Sequence, residues 1–167
     1  MMLGIRRALM RRVLPQRGLA SIVHVRHTSE AGASPFLNHV TVENHSLVAD
    51  EPASVGGQDL GPAPYDLVLA GLGACTSMTL RMYAQRKNLD LQSVEVHLSH
   101  SKVHAKDCDD CGDGKAARLD RVERKIAVTG DLSPAERKRL LEIAEMCPVH
   151  RTLESGSTVV VSTLVDA

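Results

Sequence analysis

The chain has 167 residues, which is enough for one domain with a substantial core. It contains one Phe, two Tyr and no Trp, so it lacks the stacking surfaces on which most single-stranded nucleic-acid binding depends. Its 20 basic and 20 acidic side chains cancel, so no global charge draws it to nucleic acid or to a membrane surface.

The first 29 residues carry six Arg and no Asp or Glu. An Arg-rich, acid-free and amphipathic leader is typical of a mitochondrial targeting segment, and its apolar run is too short for a membrane span. We therefore assign residues 1–21 to targeting and residues 22–167 to one domain, and we expect the mitochondrial matrix. A disordered basic tail or a misassigned start codon is the alternative, and it would leave the domain in the cytoplasm.

In the first half of the domain, the hydrophobic pattern is that of β-strands first and of a helix afterwards. Residues 22–28 alternate, and residues 36–51 continue with a period of two, which predicts a hairpin with its turn near Glu43–His45. A loop rich in Gly and Pro follows. Pro64 suits a first helical position, and the pattern predicts a helix from Pro64 to about Lys87. This helix is apolar nearly all round, so we expect it to be buried and central.

The second half predicts two strands, a helix and a last strand. Residues 93–104 and 118–131 alternate, each burying one face, and in the second strand the alternating positions are Val122, Arg124, Ile126 and Val128. Ser133, Pro134 and Glu136 form a capping box that opens the next helix. Residues 157–166 predict the last strand. The order of elements indicates an α+β domain.

Two of the four cysteines stand in special surroundings. Cys75 lies among Gly, Ala, Thr and Ser on the apolar helix, where small neighbours let a second backbone or a substrate approach. Cys147 precedes Pro148, so it would cap a short helix whose backbone N–H groups lower a thiol pKa. The plain alternatives are a small buried helix residue at Cys75, a capping residue at Cys147 and an exposed side chain at His150.

The stretches "GPAPYDLVLAGLGAC" and "CPVHRTL" resemble the OsmC/Ohr family of thiol-dependent peroxidases. The resemblance covers roughly residues 22–165. It implies a two-layer fold with antiparallel sheets around a long buried central helix, in an intertwined homodimer. It also implies that Cys75 attacks the O–O bond of an organic hydroperoxide or hydrogen peroxide, and that Cys147 resolves the sulfenic acid as a disulfide.

Family members use a Glu near the start of the central helix and an Arg from the N-terminal strands to activate the thiolate. Here the start of the helix offers Tyr65 and Asp66 in place of that Glu, with Asp66 the better candidate, and Arg26 is the only Arg in the predicted N-terminal strands. His39 and His45 are other cationic candidates. The rival hypothesis is a non-enzymatic stress or binding protein of the same fold, which lacks the activating groups. A Cys–His hydrolase is less favoured because no oxyanion motif can be named.

The resemblance implies no required cofactor. The expected partners are a second copy of the chain, a small peroxide and a thiol or dithiol reductant, with no nucleic acid and no membrane.

A second cysteine pair, Cys108 and Cys111, follows His104 at spacings typical of zinc ligands. His100 or Asp107 could supply a fourth ligand to such a structural zinc site. A redox-active dithiol and an ordinary polar loop are the alternatives. Neighbouring Asp residues would raise the thiol pKa values, which disfavours the dithiol.

The leader generates a prediction on location. A fusion of residues 1–30 to a fluorescent reporter should enter mitochondria, because Arg-rich amphipathic leaders are imported. Replacing Arg6, Arg7, Arg11 and Arg12 by Gln should leave the reporter in the cytosol. A native leader that stays diffuse would contradict the prediction.

Overall fold

The computed structural model describes residues 22–29, 31–104 and 118–156, with the side chains of His104 and Arg118 excepted. The chain divides into two compact units, residues 1–61 and 62–167. The predicted targeting segment, the predicted last strand and the Cys108–Cys111 pair lie outside the described residues.

The N-terminal unit contains a three-stranded antiparallel sheet in the order β1-β2-β3. The strands are β1 (Val23–His27), β2 (Asn38–Val42) and β3 (His45–Ala49), and a short 3₁₀ helix (Ala53–Val55) follows. The predicted hairpin is confirmed, with Glu43 at φ 51° in its two-residue turn. Buried Asp50 fixes the loop after β3, because it accepts from the Ser34 hydroxyl at 2.5 Å and the Gln58 N–H at 3.0 Å.

The second unit carries a long helix, a two-stranded antiparallel hairpin and two shorter helices. In chain order these are α1 (Pro64–Lys87), β4 (Ser93–His104), β5 (Arg118–Thr129), α2 (Pro134–Glu145) and α3 (Pro148–Glu154). The predicted bounds of α1 are confirmed, and Asn88 ends the helix in a left-handed conformation at φ 53°. The predicted capping box is also confirmed, because Glu136 accepts from the Ser133 N–H at 2.8 Å.

The core of this unit lies where α1 packs against the hairpin and α2. Gly130 shows how closely the segments approach, because a Cβ there would lie 1.7 Å from the Asp90 carbonyl oxygen. Arg137 of α2 holds the end of the hairpin by donating to the carbonyls of Val128, Leu132 and Gly130. The buried core residues are aliphatic: Leu80, Ala84, Leu91, Leu132, Leu140, Ile143 and Ala144.

The expected burial of α1 on all sides is wrong for the single chain. Its buried residues recur every four positions on one face: Leu72, Thr76, Leu80 and Ala84. On other faces the side chains of Val68, Met78 and Met82 are 44%, 65% and 61% exposed. No described element of the second unit covers them. By length and composition alone α1 would also pass as a membrane span, with a mean hydropathy of 1.2.

This exposed apolar face generates a prediction on assembly. We propose that a second copy of the chain covers it, because removing apolar surface from water is favourable. Light scattering at low micromolar concentration should give the mass of two chains. Met78→Lys combined with Met82→Lys should give one chain, whereas Val55→Lys, which adds charge at an exposed residue outside α1, should not. A wild-type monomer, or protein recovered only with membranes, would contradict the proposal.

Candidate active site

The thiols of Cys75 and Cys147 lie within hydrogen-bonding reach of each other. Cys75 lies in the middle of α1, and Cys147 stands immediately before α3. The chain leaves α2 at Glu145, and Pro148 opens α3, since its fixed φ and missing N–H suit a first helical turn. The Cys147 N–H donates to the Ala144 carbonyl at 3.3 Å, which ties the thiol to the end of α2.

The two thiols differ in their exposure. Cys147 is fully buried, with 0% of its surface exposed, whereas Cys75 is partly exposed. Packing explains one of the two glycines near Cys75 but not the other. A Cβ at Gly73 would lie 2.9 Å from Leu98 Cδ1 of β4, so packing requires a glycine there, whereas Gly71 has open space. A reagent from solvent therefore reaches Cys75 more readily than Cys147.

The surroundings of the pair shift the two thiol pKa values in opposite directions. Burial raises the pKa of Cys75 above its ordinary value, and the hydrogen bond with Cys147 raises it further. Burial also acts to raise the pKa of Cys147. Hydrogen bonds from Cys75, from the His150 N–H and from the Thr76 hydroxyl outweigh it, so this pKa lies below its ordinary value. The two pKa values therefore move apart, and the two thiols titrate as a coupled pair in which the negative charge is favoured at Cys147.

Arg124 of β5 contacts two residues that adjoin the thiol pair. Its Nη1 donates to Thr76 Oγ1 at 3.0 Å and to the Ala144 carbonyl at 3.2 Å. Thr76 is fully buried and contacts Cys147, and Ala144 accepts from the Cys147 N–H. We did not assign Arg124 to the site from the sequence. Its signal was an Arg at an alternating position of an otherwise apolar strand face.

A cleft of about 400 Å³ opens beside Arg124. Its walls combine apolar side chains with charged ones from β5, α2 and α3. The lining residues are Leu72, Asp120, Val122, Arg124, Ile126, Leu141, Glu145, His150, Leu153 and Glu154. Its size and mixed lining suit a small organic molecule with one polar end.

The other predicted site residues have different positions. Asp66 accepts from the Ala63 N–H at 3.0 Å, so it caps a backbone N–H at the start of α1. Nine residues separate it from Cys75, which is roughly 13 Å along a helix axis, so the two do not meet within one chain. Arg26 lies in β1 opposite His39 of β2, in the N-terminal unit. The predicted roles of Asp66 and Arg26 stay predictions.

His150 faces the cleft and pairs with Glu154, with 3.0 Å between Nε2 and the carboxylate. The His150 side chain is 20% exposed, so it is more buried than the exposed side chain that the sequence offered as the plain alternative.

The predicted zinc ligands Cys108 and Cys111 lie outside the described residues, as does the side chain of His104. The backbone pairing of β4 with β5 ends at His104 opposite Arg118. Among the described residues, no three His, Cys, Asp or Glu side chains cluster as a metal site would require.

Comparison with protein-family models matched residues 56–162 to the OsmC-like protein family. This range contains both Cys75 and Cys147. Comparison with curated proteins by sequence gave no match.

Solved structures of the same kind share the fold. The organic hydroperoxide resistance protein OsmC of Legionella pneumophila is 21% identical and has a TM-score of 0.58, covering 81% of this chain and 89% of that chain. The OsmC-like protein of Mycoplasma pneumoniae is 18% identical, with a TM-score of 0.61 over 83% and 89% of the two chains. OhrB of Bacillus subtilis is 21% identical, with a TM-score of 0.51 over 81% and 90%.

The second cysteine pair generates a prediction on metal content. Untagged protein should carry about one equivalent of zinc, because two thiolates and one imidazole at this spacing supply three of four tetrahedral ligands. Cys108→Ser should lose the metal, and Cys75→Ser should keep it. Elemental analysis that finds less than about a tenth of an equivalent in the wild-type protein would contradict the prediction.

Proposed function

Because the chain belongs to the OsmC-like protein family, we propose that it is a thiol-dependent peroxidase that reduces organic hydroperoxides or hydrogen peroxide. One observation carries the proposal: a partly exposed thiol, Cys75, lies within hydrogen-bonding reach of a buried one, Cys147. This is the arrangement that a two-thiol peroxidase needs, because the oxidised sulfur must find its partner without a large movement of the chain.

The first step transfers oxygen from the peroxide to Cys75. The proton of the pair passes to the Cys147 sulfur, and the Cys75 thiolate attacks one oxygen of the peroxide. The O–O bond breaks, an S–O bond forms, and the alkoxide or hydroxide that leaves takes up a proton. Cys75 is then a sulfenic acid, oxidised by two electrons, and the peroxide has become an alcohol or water.

The second step protects Cys75 and resets the site. The Cys147 sulfur attacks the sulfenic sulfur, a disulfide forms, and water leaves. A thiol or dithiol reductant then reduces the disulfide by exchange and is itself oxidised to a disulfide. Burial of Cys147 favours this order, because peroxide reaches Cys75 first. We place the reaction in the mitochondrial matrix, since the leader has the composition of a targeting segment.

The rival hypothesis is a non-enzymatic member of the family. The position of Asp66 favours it, because that carboxylate satisfies the start of α1 instead of meeting Cys75 within the chain. The lowered pKa of Cys147 speaks against it, since a lowered thiol pKa is typical of reactive rather than structural cysteines.

The proposed reaction generates a prediction on oxidation. One equivalent of hydroperoxide should consume two thiols and yield a Cys75–Cys147 disulfide by mass mapping. Cys147→Ser should stop at a Cys75 sulfenic acid and overoxidise in excess peroxide, because no thiol traps the intermediate. Cys75→Ser should abolish the reaction. Asp66→Asn serves as the matched polar variant, and it should change the rate little if Asp66 only stabilises the start of α1.

Two outcomes would overturn the proposal. In one, Cys75 reacts no faster than an ordinary free thiol. In the other, peroxide oxidises Cys108 and Cys111 while Cys75 stays reduced.

A further inference from the structure

Arg124 is a half-buried cation whose charge has no carboxylate partner among residues 22–29, 31–104 and 118–156. Its hydrogen bonds in that part of the chain go to a hydroxyl and a backbone carbonyl. Withdrawing a charge from water is costly unless an opposite charge compensates it. The arrangement around Arg124 therefore suits an anion that forms only in one state of the protein.

The charged groups that line the same cleft do not supply that anion. Asp120 of β5 accepts from His100 Nε2 at 2.8 Å and lies 3.5 Å from Lys102 Nζ. In α3, Glu154 pairs with His150. Glu145 of α2 is the remaining acidic group of the lining, and it forms no ion pair with Arg124 among the described residues.

The Thr76 hydroxyl links Arg124 to the thiols. Its Oγ1 accepts from Arg124 at 3.0 Å, and it can donate its own proton either to the Leu72 carbonyl at 2.8 Å or to the Cys147 sulfur. A cation at the oxygen polarises the O–H bond and strengthens donation to a negative sulfur. The second bond of Arg124, to the Ala144 carbonyl, fixes the guanidinium beside the backbone that carries Cys147.

We propose that Arg124 is a positioning residue that acts through Thr76 to stabilise the single negative charge of the Cys75–Cys147 pair. The proposal deepens the proposed function, and it rests on that function for its biological meaning. It assigns the cationic role to Arg124 of β5, whereas the sequence analysis predicted that role for Arg26 of the N-terminal strands. Thiol acidity can be measured without any peroxide, so the two proposals can fail separately.

The structural alternative is that Arg124 only pins α1 and α2 to the hairpin. Arg137 provides a matched control, because it also donates to backbone carbonyls at the end of the hairpin but, in the part of the chain that the structure describes, contacts neither Thr76 nor either thiol. Arg124→Gln and Arg137→Gln should both lower the melting temperature. A purely structural role for Arg124 would leave the pH dependence of thiol reactivity unchanged in both variants.

The experiment follows alkylation of Cys75 by iodoacetamide against pH, with each cysteine quantified by peptide mass mapping. Arg124→Gln should move the midpoint to higher pH and slow alkylation below the midpoint by about tenfold, since one pKa unit is a factor of ten. Arg124→Lys should recover part of the rate, because it keeps the charge. Thr76→Val should move the midpoint the same way, and Thr76→Ser should resemble the wild type.

The midpoints of the variants decide the question. If Arg124→Gln and Thr76→Val keep the wild-type midpoint, or if Arg137→Gln shifts it equally, Arg124 does not act on the thiol charge. Should Arg124→Gln fail to fold, Arg124→Lys and the two Thr76 variants decide in the same way. A shifted midpoint in a protein that consumes no peroxide would support the role of Arg124 and overturn the peroxidase proposal instead.

Discussion

The proximity of the Cys75 and Cys147 thiols depends on the turn that joins α2 to α3. The Cys147 N–H bonds to the Ala144 carbonyl, and Pro148 starts the next helix at once, so the sulfur is buried against α1 at the level of Cys75. The buried core residues around Leu80 and Leu140 hold α1 and α2 in contact. This contact determines where along α1 the turn between α2 and α3 lies.

The pairing has an electrostatic consequence that neither thiol would show alone. A buried thiol without partners is inert because its anion is poorly solvated. Here the partner sulfur, backbone N–H groups and the Thr76 hydroxyl replace water around the charge at Cys147. The negative charge is most stable at the sulfur that peroxide does not reach, and the accessible sulfur obtains it by passing on a proton. In the proposed reaction Cys147 is thus the proton acceptor first and the resolving thiol afterwards.

Much of this arrangement was predictable from local sequence signals. Pro64 and Lys87 bound the helix that carries Cys75, Ser133 and Glu136 start α2, and Cys147–Pro148 marks the start of α3. These signals act over a few residues, so they can be read one segment at a time. The exposure of Met78 and Met82, the local bond of Asp66 and the approach of Arg124 to Thr76 depend on which segments pack together. No short stretch of sequence determines that packing. The one sequence signal for the position of Arg124 was that it is a charged residue on an otherwise apolar strand face.

The shared charge of the two thiols is tested most directly by titrating their ultraviolet thiolate absorbance under anaerobic conditions. The protein should carry Cys108→Ser and Cys111→Ser, so that only the pair contributes. We predict that one thiolate forms below the ordinary cysteine pKa of about 8.5 and the second above it, and that Cys147→Ser removes the low-pH transition. Two thiolates that appear together near the ordinary value would contradict the shared charge, and with it the activation of Cys75.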